Sequence, residues 1–419
     1  MSAARCTAER LQRWALEAGF DRAGVAPLTP SEQGAALRRW LQRGEHAGME
    51  WIARRVELRE QPAHLLDGAK SALCVALQYY PLAGEEEPTG DLWPRVARYA
   101  RGRDYHDVMG KRLKRLAARI VEAYPECGVR PYVDTGPILE RELAARAGLG
   151  VQAKNTQLLD RDWGSWFLLG ELLLTLELEP GPPLAVAERP GRPRSPSQAE
   201  PADLCGHCTR CLEACPTDAL VEPYRLDSNR CISYWTIEHR GDLPLAARDM
   251  LGEWVFGCDI CQEVCPWNDK PRSGTPLAGD HPLMRLPPQR AELDLAGLLA
   301  LDREGFVERF QVSPMKRPKL EGLRRNAAVA MGNRRDSRYV PALATALADD
   351  SATVRRHAAW ALGRIGGDGA RGALGEALRR EDDSAVQEEI EASLRGLVGA
   401  EFASGGGRPE RLARGRENS

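Results

Sequence analysis

Cysteine spacing constrains the fold of this chain more than any other feature of its sequence. Eight of its 11 cysteines lie between positions 205 and 265, and the first four form the run C-x2-C-x2-C-x3-C-P. Bacterial ferredoxins bind [4Fe-4S] clusters with this spacing, and the fourth cysteine of the run binds the other cluster of a pair. Because such a segment depends on its metal for order, we predict a ferredoxin-like two-cluster domain.

A second cysteine run supplies ligands for the partner cluster. Cys258, Cys261 and Cys265 form C-x2-C-x3-C-P, which is one cysteine short, and Cys231 lies between the two runs. When the last cysteine of each run binds the other cluster, the eight thiolates divide into two complete sets. The predicted ligands are Cys205, Cys208, Cys211 and Cys265 for the first cluster, and Cys215, Cys231, Cys258 and Cys261 for the second.

Two structural zinc sites are the alternative, since zinc also takes four cysteines. The spacing and the proline after each run favour iron-sulfur clusters, so we predict a protein that passes single electrons. Cys6, Cys74 and Cys127 lie apart from each other in helical or strand-like segments of the sequence. We predict that they are small buried hydrophobic residues.

Composition and charge limit the possible partners. The 419 residues carry 58 basic and 60 acidic side chains, a net charge of -2, so nucleic acid would need a local basic patch. The strongest apolar run, residues 164–178, contains Glu171 and Glu177 and is shorter than the ~20 residues that span a membrane. The first residues lack the apolar core of a secretory signal. We therefore expect a cytoplasmic protein with no membrane partner, whose crowded cysteines bind metal.

The remaining sequence predicts two further domains. Residues 1–180 combine helical periodicity with the strand-like runs 71–80 and 129–134, which indicates an α/β domain. A proline-rich linker or loop is predicted at 181–203, followed by the cluster domain at 204–312.

The C-terminal part repeats itself. NAAVAMGN at 326–333 returns as HAAWALGR at 357–364, a period of about 31 residues that is typical of HEAT-like α-repeats. We expect an all-α repeat domain at 313–400 and a disordered tail at 401–419.

Six sequence strings in one order carry a family resemblance. They are YARGRDYH at 99–106, DTGPILER at 134–141, GVQAKNTQLL at 150–159, the two cysteine runs, and SPMKRPKLEGLRRNAAVAMGN at 313–333. Together they resemble the epoxyqueuosine reductase family. The resemblance implies that the N-terminal α/β domain binds cobalamin, and that the enzyme removes the epoxide oxygen from epoxyqueuosine in a tRNA anticodon loop to give queuosine. No Rossmann fingerprint or P-loop offers a nucleotide cofactor instead in the N-terminal half.

The resemblance also implies roles for individual residues. Asp134 is the proton donor, and the residues around the corrinoid are Tyr99, Tyr105, His106, Asp134, Lys154, Asn155 and Gln157. From the sequence alone, Asp134 before Thr-Gly-Pro is as well explained as a turn former. Burial beside a bulky cofactor would raise its pKa, which suits a general acid. His106 on its own is better explained as a hydrogen-bonded histidine than as a cobalt ligand.

RNA binding is predicted from one basic stretch. Its basic residues outnumber the acidic ones, although a solvated helix surface is the usual explanation for such density. The predicted RNA contacts are Lys316, Arg317, Lys319, Arg324, Arg325, Arg334 and Arg335. The modified base would be splayed from the loop into the corrinoid pocket.

Two other functions fit the cysteines. A corrinoid reductive dehalogenase would use the same cofactors, a corrinoid and two clusters, but the basic α-repeats argue against it. A non-enzymatic ferredoxin-like carrier would leave Asp134 and YARGRDYH without a purpose. We expect a monomeric oxidoreductase that takes electrons from a low-potential donor.

Overall fold

An antiparallel sheet forms the centre of the N-terminal part of the protein. The computed structural model describes residues 6–79, 94–185, 203–268 and 294–403. Five strands lie in the order β4-β7-β2-β1-β8. The strands are β1 Arg22–Pro27, β2 Ser71–Gln78, β3 Arg95–Val96, β4 Val129–Tyr132, β5 Val151–Gln152, β6 Leu158–Leu159, β7 Phe167–Leu174 and β8 Leu184–Ala185. The helices are α1 Ala8–Glu17, α2 Gly34–Gln42, α3 Glu50–Ala53, α4 Val56–Glu60, α5 Tyr105–Ala123 and α6 Glu140–Arg146.

Apolar runs explain why β2 and β7 occupy the middle of this sheet. Seven of the eight residues of β2 are buried, and both faces of the strand are covered. Helices α1 and α5 pack on one face, around Leu11, Leu113 and Leu116, whereas α6 packs on the other. The predicted mixed α/β arrangement is confirmed, and its sheet pairings are all antiparallel.

The cluster segment has little regular structure of its own. Its elements are α7 Arg210–Glu213, β9 Leu220–Glu222, β10 Arg225–Leu226, a π-helical turn Tyr234–Glu238, α8 Leu245–Met250, β11 Trp254–Phe256 and α9 Ile260–Glu263. Strand β11 pairs in parallel with β3 of the N-terminal part. The segment is thereby joined to the first domain by backbone hydrogen bonds.

The C-terminal part consists of helices in the described residues. They are α10 Leu295–Leu299, α11 Arg303–Phe310, α12 Lys319–Arg334, α13 Val340–Ala346, α14 Ala352–Ile365, α15 Gly367–Leu378 and α16 Ser384–Ala403. Helices α12, α14 and α16 pack side by side, which confirms the HEAT-like repeat. The core of α10 continues into that of α12, so the hydrophobic core extends across the predicted boundary at 312.

Two predicted segments fall largely outside the described residues. Most of the proline-rich linker, at 186–202, and most of the C-terminal tail, at 404–419, are not described. Within the described ranges, no helix has both the length and the apolar character needed to cross a membrane.

Gly24 offers a test of how β1 packs on α6. A β-carbon at Gly24 would lie 2.1 Å from the Ala147 carbonyl oxygen, whereas one at Gly110, inside α5, would meet nothing within 4 Å. Gly24→Ala must displace backbone and should destabilise the protein by about 3 kcal/mol or more. Gly110→Ala should be neutral or stabilise by about 0.5–1 kcal/mol, because alanine favours the helix. Denaturant unfolding of both variants checks this, and equal effects would contradict the packing described here.

Candidate active site beside the cysteine clusters

The eight cysteines between 205 and 265 lie in two groups. The Cys211 thiol lies beside those of Cys205 and Cys265, and Cys265 also lies beside Cys208. In the second group Cys258 lies beside Cys215 and Cys231. The thiols that raise the pKa of Cys261 are Cys258, Cys231 and, from the first group, Cys211. The neighbouring thiols are consistent with the two predicted ligand sets, and the allocation of each cysteine to a cluster stays a prediction.

Burial makes these thiols costly to ionise without a cation. It raises the pKa of Cys211 to about 11 and that of Cys258 to about 12, with further increases from neighbouring thiols. A positively charged metal group offsets that cost, since metal-bound thiols are deprotonated outright. The donor set therefore fits two cysteine-ligated clusters.

Backbone N–H groups point at the sulfur atoms. Lys154 N–H donates to Cys205 Sγ at 3.5 Å, and Ala219 N–H donates to Cys215 Sγ at 3.3 Å. Burial alone would raise the pKa of Cys215, but hydrogen bonds from Thr217, Leu220 and Ala219 outweigh it and lower the pKa. Such hydrogen bonds to sulfur tune the reduction potential of a cluster.

The loop at residues 153–157 holds the cysteine loops. Lys154 Nζ donates to the carbonyl oxygens of Gly206 and Cys208, at 2.6 and 3.1 Å. Asn155 is buried, and it donates to the Cys261 carbonyl at 3.1 Å while accepting from Gln157 N–H. Both ends of the Asn155 amide thus hold the protein backbone, and its contact with a corrinoid stays a prediction. Gln157 is half-buried in the same loop.

Asp104, His106 and Asp134 form a hydrogen-bonded chain. Asp104 caps α5, and its Oδ1 lies 2.7 Å from His106 Nδ1. On the other side of the ring, Nε2 lies 3.1 Å from Asp134 Oδ2. Both ring nitrogens are thus engaged by carboxylates, which confirms that His106 is a hydrogen-bonded histidine. Asp134 has φ of 56°, so it also fits its turn-former interpretation.

The proton in this chain is held by the histidine. Burial alone would lower the pKa of His106, but hydrogen bonds to Asp104 and Asp134 raise it to about 9. Burial alone would raise the pKa of Asp134, but the bond from His106 outweighs it and lowers the pKa. The protonated imidazole therefore stabilises the Asp134 carboxylate, and the raised pKa expected beside a bound corrinoid stays a prediction.

Two tyrosines connect this chain to the second cysteine group. Tyr105 stacks on His106 with ring centroids 4.1 Å apart, and it meets Tyr99 edge to face at 5.9 Å. Burial raises the pKa of Tyr99, and the charges of Asp134 and Asp259 raise it further. Asp259 lies between the ligand candidates Cys258 and Cys261. The Asp259 carboxylate accepts the N–H of Arg98, the residue before Tyr99, at 2.7 Å, so Tyr99 lies between the ring of Tyr105 and the cysteine loops.

Basic residues of the C-terminal part reach the same site. Lys316 Nζ lies 2.7 Å from Asp104 Oδ2, on the carboxylate that binds His106. The neighbouring Arg317 pairs with Glu238 at 3.0 Å and contributes to lowering the pKa of Asp134. These two predicted RNA contacts lie at the active site.

The other predicted RNA contacts differ in their surroundings. Arg325 is fully buried and donates to the carbonyls of Trp235 and Gly241, so the prediction of an RNA contact there is wrong. Arg324 pairs with Asp349, and Arg334 with Glu253. The two that remain exposed are Lys319 and Arg335.

Sequence reasoning missed an aromatic and basic surface around the Asp134 loop. Trp51 is 42% exposed, and the Arg317 guanidinium lies 5.5 Å from its ring centroid. A cavity of about 370 Å³ adjoins the loop. It is lined by Arg55, Leu58, His64, Leu65, Arg130, Tyr132, Thr135, Gly136 and Pro137. These residues come from separate elements, so sequence spacing carries no signal that joins them.

Comparison with protein families matches three parts of the chain. Residues 204–268 match the 4Fe-4S double cluster binding domain, and 59–135 match epoxyqueuosine reductase QueG. Residues 320–395 match HEAT repeats.

Whole-chain relatives agree with these matches. The chain is 41% identical over 371 residues to an epoxyqueuosine reductase of Xanthomonas campestris, covering 86% of this chain and 96% of the relative. It is 39% identical over 368 residues to the Pseudomonas aeruginosa epoxyqueuosine reductase, covering 86% of this chain and 94% of the relative.

Solved structures of the same kind superpose on the fold. A structure of an epoxyqueuosine reductase with an epoxyqueuosine-modified tRNA-Tyr stem loop matches with a TM-score of 0.78 at 31% identity, over 93% of this chain and 98% of that one. A structure of the Bacillus subtilis epoxyqueuosine reductase has its aspartate catalytic loop swung out of the active site. It matches with a TM-score of 0.80 at 31% identity, over 93% of this chain and 98% of that one.

Metal content tests the two cysteine groups. Anaerobically reconstituted protein should hold about eight iron atoms per chain. Cys265→Ser should remove about half of them, because it breaks the group that contains Cys205, whereas Cys6→Ser should keep all. Iron analysis and absorbance check this. Stoichiometric zinc without iron would contradict the redox interpretation.

Proposed function

The chain belongs to the epoxyqueuosine reductase family, and on this premise we propose that it removes the epoxide oxygen from epoxyqueuosine in a tRNA anticodon loop. The position of Tyr99 supports this proposal most strongly, because its ring meets Tyr105, which stacks on His106, and the adjacent Arg98 N–H donates to Asp259 of the cysteine loops at 2.7 Å. A proton-transfer chain and an electron-transfer segment thus meet at one place. Family membership favours this reaction over a reductive dehalogenase or an electron carrier.

The reaction requires both electrons and protons at the site around Tyr99. Removal of the oxygen breaks two C–O bonds, leaves a carbon–carbon double bond and releases water, at a cost of two electrons and two protons. A cobalamin, when bound, would supply a metal centre that accepts single electrons and acts on the substrate carbon. We propose that Tyr99, Tyr105, His106 and Gln157 would hold it. Lys154 would act by fixing the cysteine loops.

Protons reach the epoxide oxygen through Asp134 in this proposal. His106 is charged at neutral pH, and its Nε2 lies 3.1 Å from Asp134 Oδ2. As the oxygen leaves, Asp134 passes on the proton that His106 releases. Lys316 and Asp104 keep the imidazole oriented from its other side.

RNA would approach over Trp51 and the cavity beside the Asp134 loop. An exposed tryptophan with a guanidinium above it can stack an unpaired base, and stacking tolerates any base because each has a π-face. Arg55 and Arg130 line the cavity and can neutralise phosphates. The exposed Lys319 and Arg335 would extend the contact along the repeats.

Replacing Asp134 tests the proton path. Asp134→Asn keeps the volume but removes the group that relays the proton, so single-turnover conversion in a chemically reduced enzyme should slow by roughly 10² or more. The wild-type rate should fall as pH rises through about 9, where His106 loses its proton. The exposed Asp67→Asn serves as the control. A wild-type rate in Asp134→Asn with RNA bound would show that Asp134 only shapes the turn.

Replacing Trp51 tests the RNA surface. Trp51→Ala should weaken stem-loop binding by about 1–3 kcal/mol, and Trp51→Phe should retain most of the affinity. Arg130→Gln should reduce the slope of log K against log salt by about 0.7, the value for one phosphate contact on a single strand. Leu245→Ala, at an exposed apolar residue of α8, is the control. Fluorescence anisotropy measures the binding of all four variants. An unchanged affinity in Trp51→Ala would show that the RNA binds at another surface.

A further inference from the structure

Glu171 is an ionisable group buried inside the sheet. It lies in the middle of β7 with 0% of its surface exposed, opposite Cys74 of β2 and Tyr132 of β4. No donor bonds to either carboxylate oxygen in the described residues, and the nearby Tyr132 hydroxyl is also buried without a partner. Buried polar groups are nearly always hydrogen-bonded, so this carboxyl needs an explanation.

The Glu140 carboxyl connects Glu171 to the active site. Glu140 begins α6, and its Oε1 accepts the backbone N–H of Asp134. Its carboxyl also interacts directly with that of Glu171. The chain thus runs from inside the sheet to the loop that carries Asp134.

The surroundings of this pair disfavour two negative charges. The neighbours that act on it are Asp134 of the loop, His106 of α5, Arg141 of α6, and Cys74 and Tyr132 of the flanking strands. Burial raises the pKa of Glu140 to about 8, and the Asp134 charge adds to the shift. Burial also raises the pKa of Glu171 well above its usual value. Two carboxyl groups become hydrogen-bonded partners only when one of them holds a proton.

We propose that Glu140 and Glu171 form a proton reservoir that resupplies Asp134 during epoxide removal. The inference rests on the proposed function, which consumes two protons with two electrons from the clusters and releases the epoxide oxygen as water. One proton comes from His106 through Asp134. At rest both Glu140 and Glu171 hold a proton. The second proton leaves Glu140 for the Asp134 carboxylate, and Glu171 replaces it at Glu140, so the pair keeps one shared proton.

A purely structural role for Glu171 is disfavoured by its neighbours. It stands in a strand whose adjoining residues are Gly170 and Leu172, within a core where leucine would pack without an unsatisfied polar group. A buried carboxyl without donors costs stability that an apolar side chain would not. Glu171 therefore lowers the stability of the fold, as functional groups often do.

Infrared spectroscopy and pH-dependent stability test the reservoir without substrate. The wild type should show the carbonyl bands of two protonated carboxyls at pH 7, and Glu171→Gln should lose one of them while Glu140 keeps its own. Glu140 keeps its proton in the folded state up to pH about 8 instead of 4.5, so the wild-type melting temperature should fall as pH rises through that window. This fall should be smaller in Glu171→Gln, because a glutamine amide donates to the Glu140 carboxylate. Glu177→Gln, an exposed glutamate of the same domain, should match the wild type.

Single-turnover conversion then tests the role in catalysis. At pH 8 the rate in Glu171→Gln should fall by roughly 10-fold or more, with a smaller loss at pH 6 where solvent supplies protons readily. Glu171→Asp, which keeps a carboxyl, should recover part of the rate. If Glu171→Gln does not fold, Glu140→Gln is measured in its place.

The outcomes separate this inference from the proposed function. A wild type with iron, corrinoid and RNA bound that leaves epoxyqueuosine unchanged would overturn the proposed function. A converting wild type whose Glu171→Gln variant keeps both infrared bands or the full rate at pH 8 would overturn the reservoir alone.

Discussion

Side chains from both neighbouring domains bind the backbone of the cluster segment, and the rest of the structure depends on these bonds. Helices and strands in that segment are two to six residues long, so many of its carbonyl and N–H groups have no partner within it. Asn155 of the N-terminal part binds the Cys261 carbonyl. From the repeats, Asn326 donates to the carbonyls of Thr236 and Val255, each at 2.9 Å, and His357 Nε2 accepts Leu243 N–H. The cysteine loops are held from two sides.

The same arrangement places protons beside the electron path. Burial lowers the pKa of His357 to about 3, so this histidine is neutral and purely structural. His106 has the opposite charge state, because two carboxylates face its two ring nitrogens. The protein thus keeps one imidazole uncharged at the domain interface and another charged at the active site. The difference comes from their partners, since burial disfavours the charged form of both.

Local sequence patterns predict part of this architecture. The cysteine spacing is enough to propose both ligand sets, because ligand order in a cluster motif is a local property. Repeats of 31 residues indicate the α-helical domain. Arg325 shows where local reasoning fails, since its burial depends on carbonyls some 90 residues away in the chain. Asp134 shows another limit, because its pKa depends on a histidine supplied by α5.

Other site residues have weak signals in the sequence. Trp51 resembles any tryptophan of an amphipathic helix, and only the folded structure shows it exposed beside Arg317. Glu171 leaves a faint signal, as a single charge within an apolar run. A charge there excludes a membrane span, but its pairing with Glu140 requires the α6 packing to be known. Tertiary contacts between distant segments decide these roles.

Counting electrons in a single turnover tests whether the clusters supply the electrons that reduce the epoxide. Enzyme loaded with iron and cobalamin is reduced, freed of excess reductant and mixed anaerobically with an epoxyqueuosine-containing stem loop. Electron paramagnetic resonance measures cluster oxidation while mass spectrometry measures loss of one oxygen from the base. Two electrons should leave the protein for each oxygen removed. Reduced clusters that persist while RNA is bound and the base stays unchanged would contradict this.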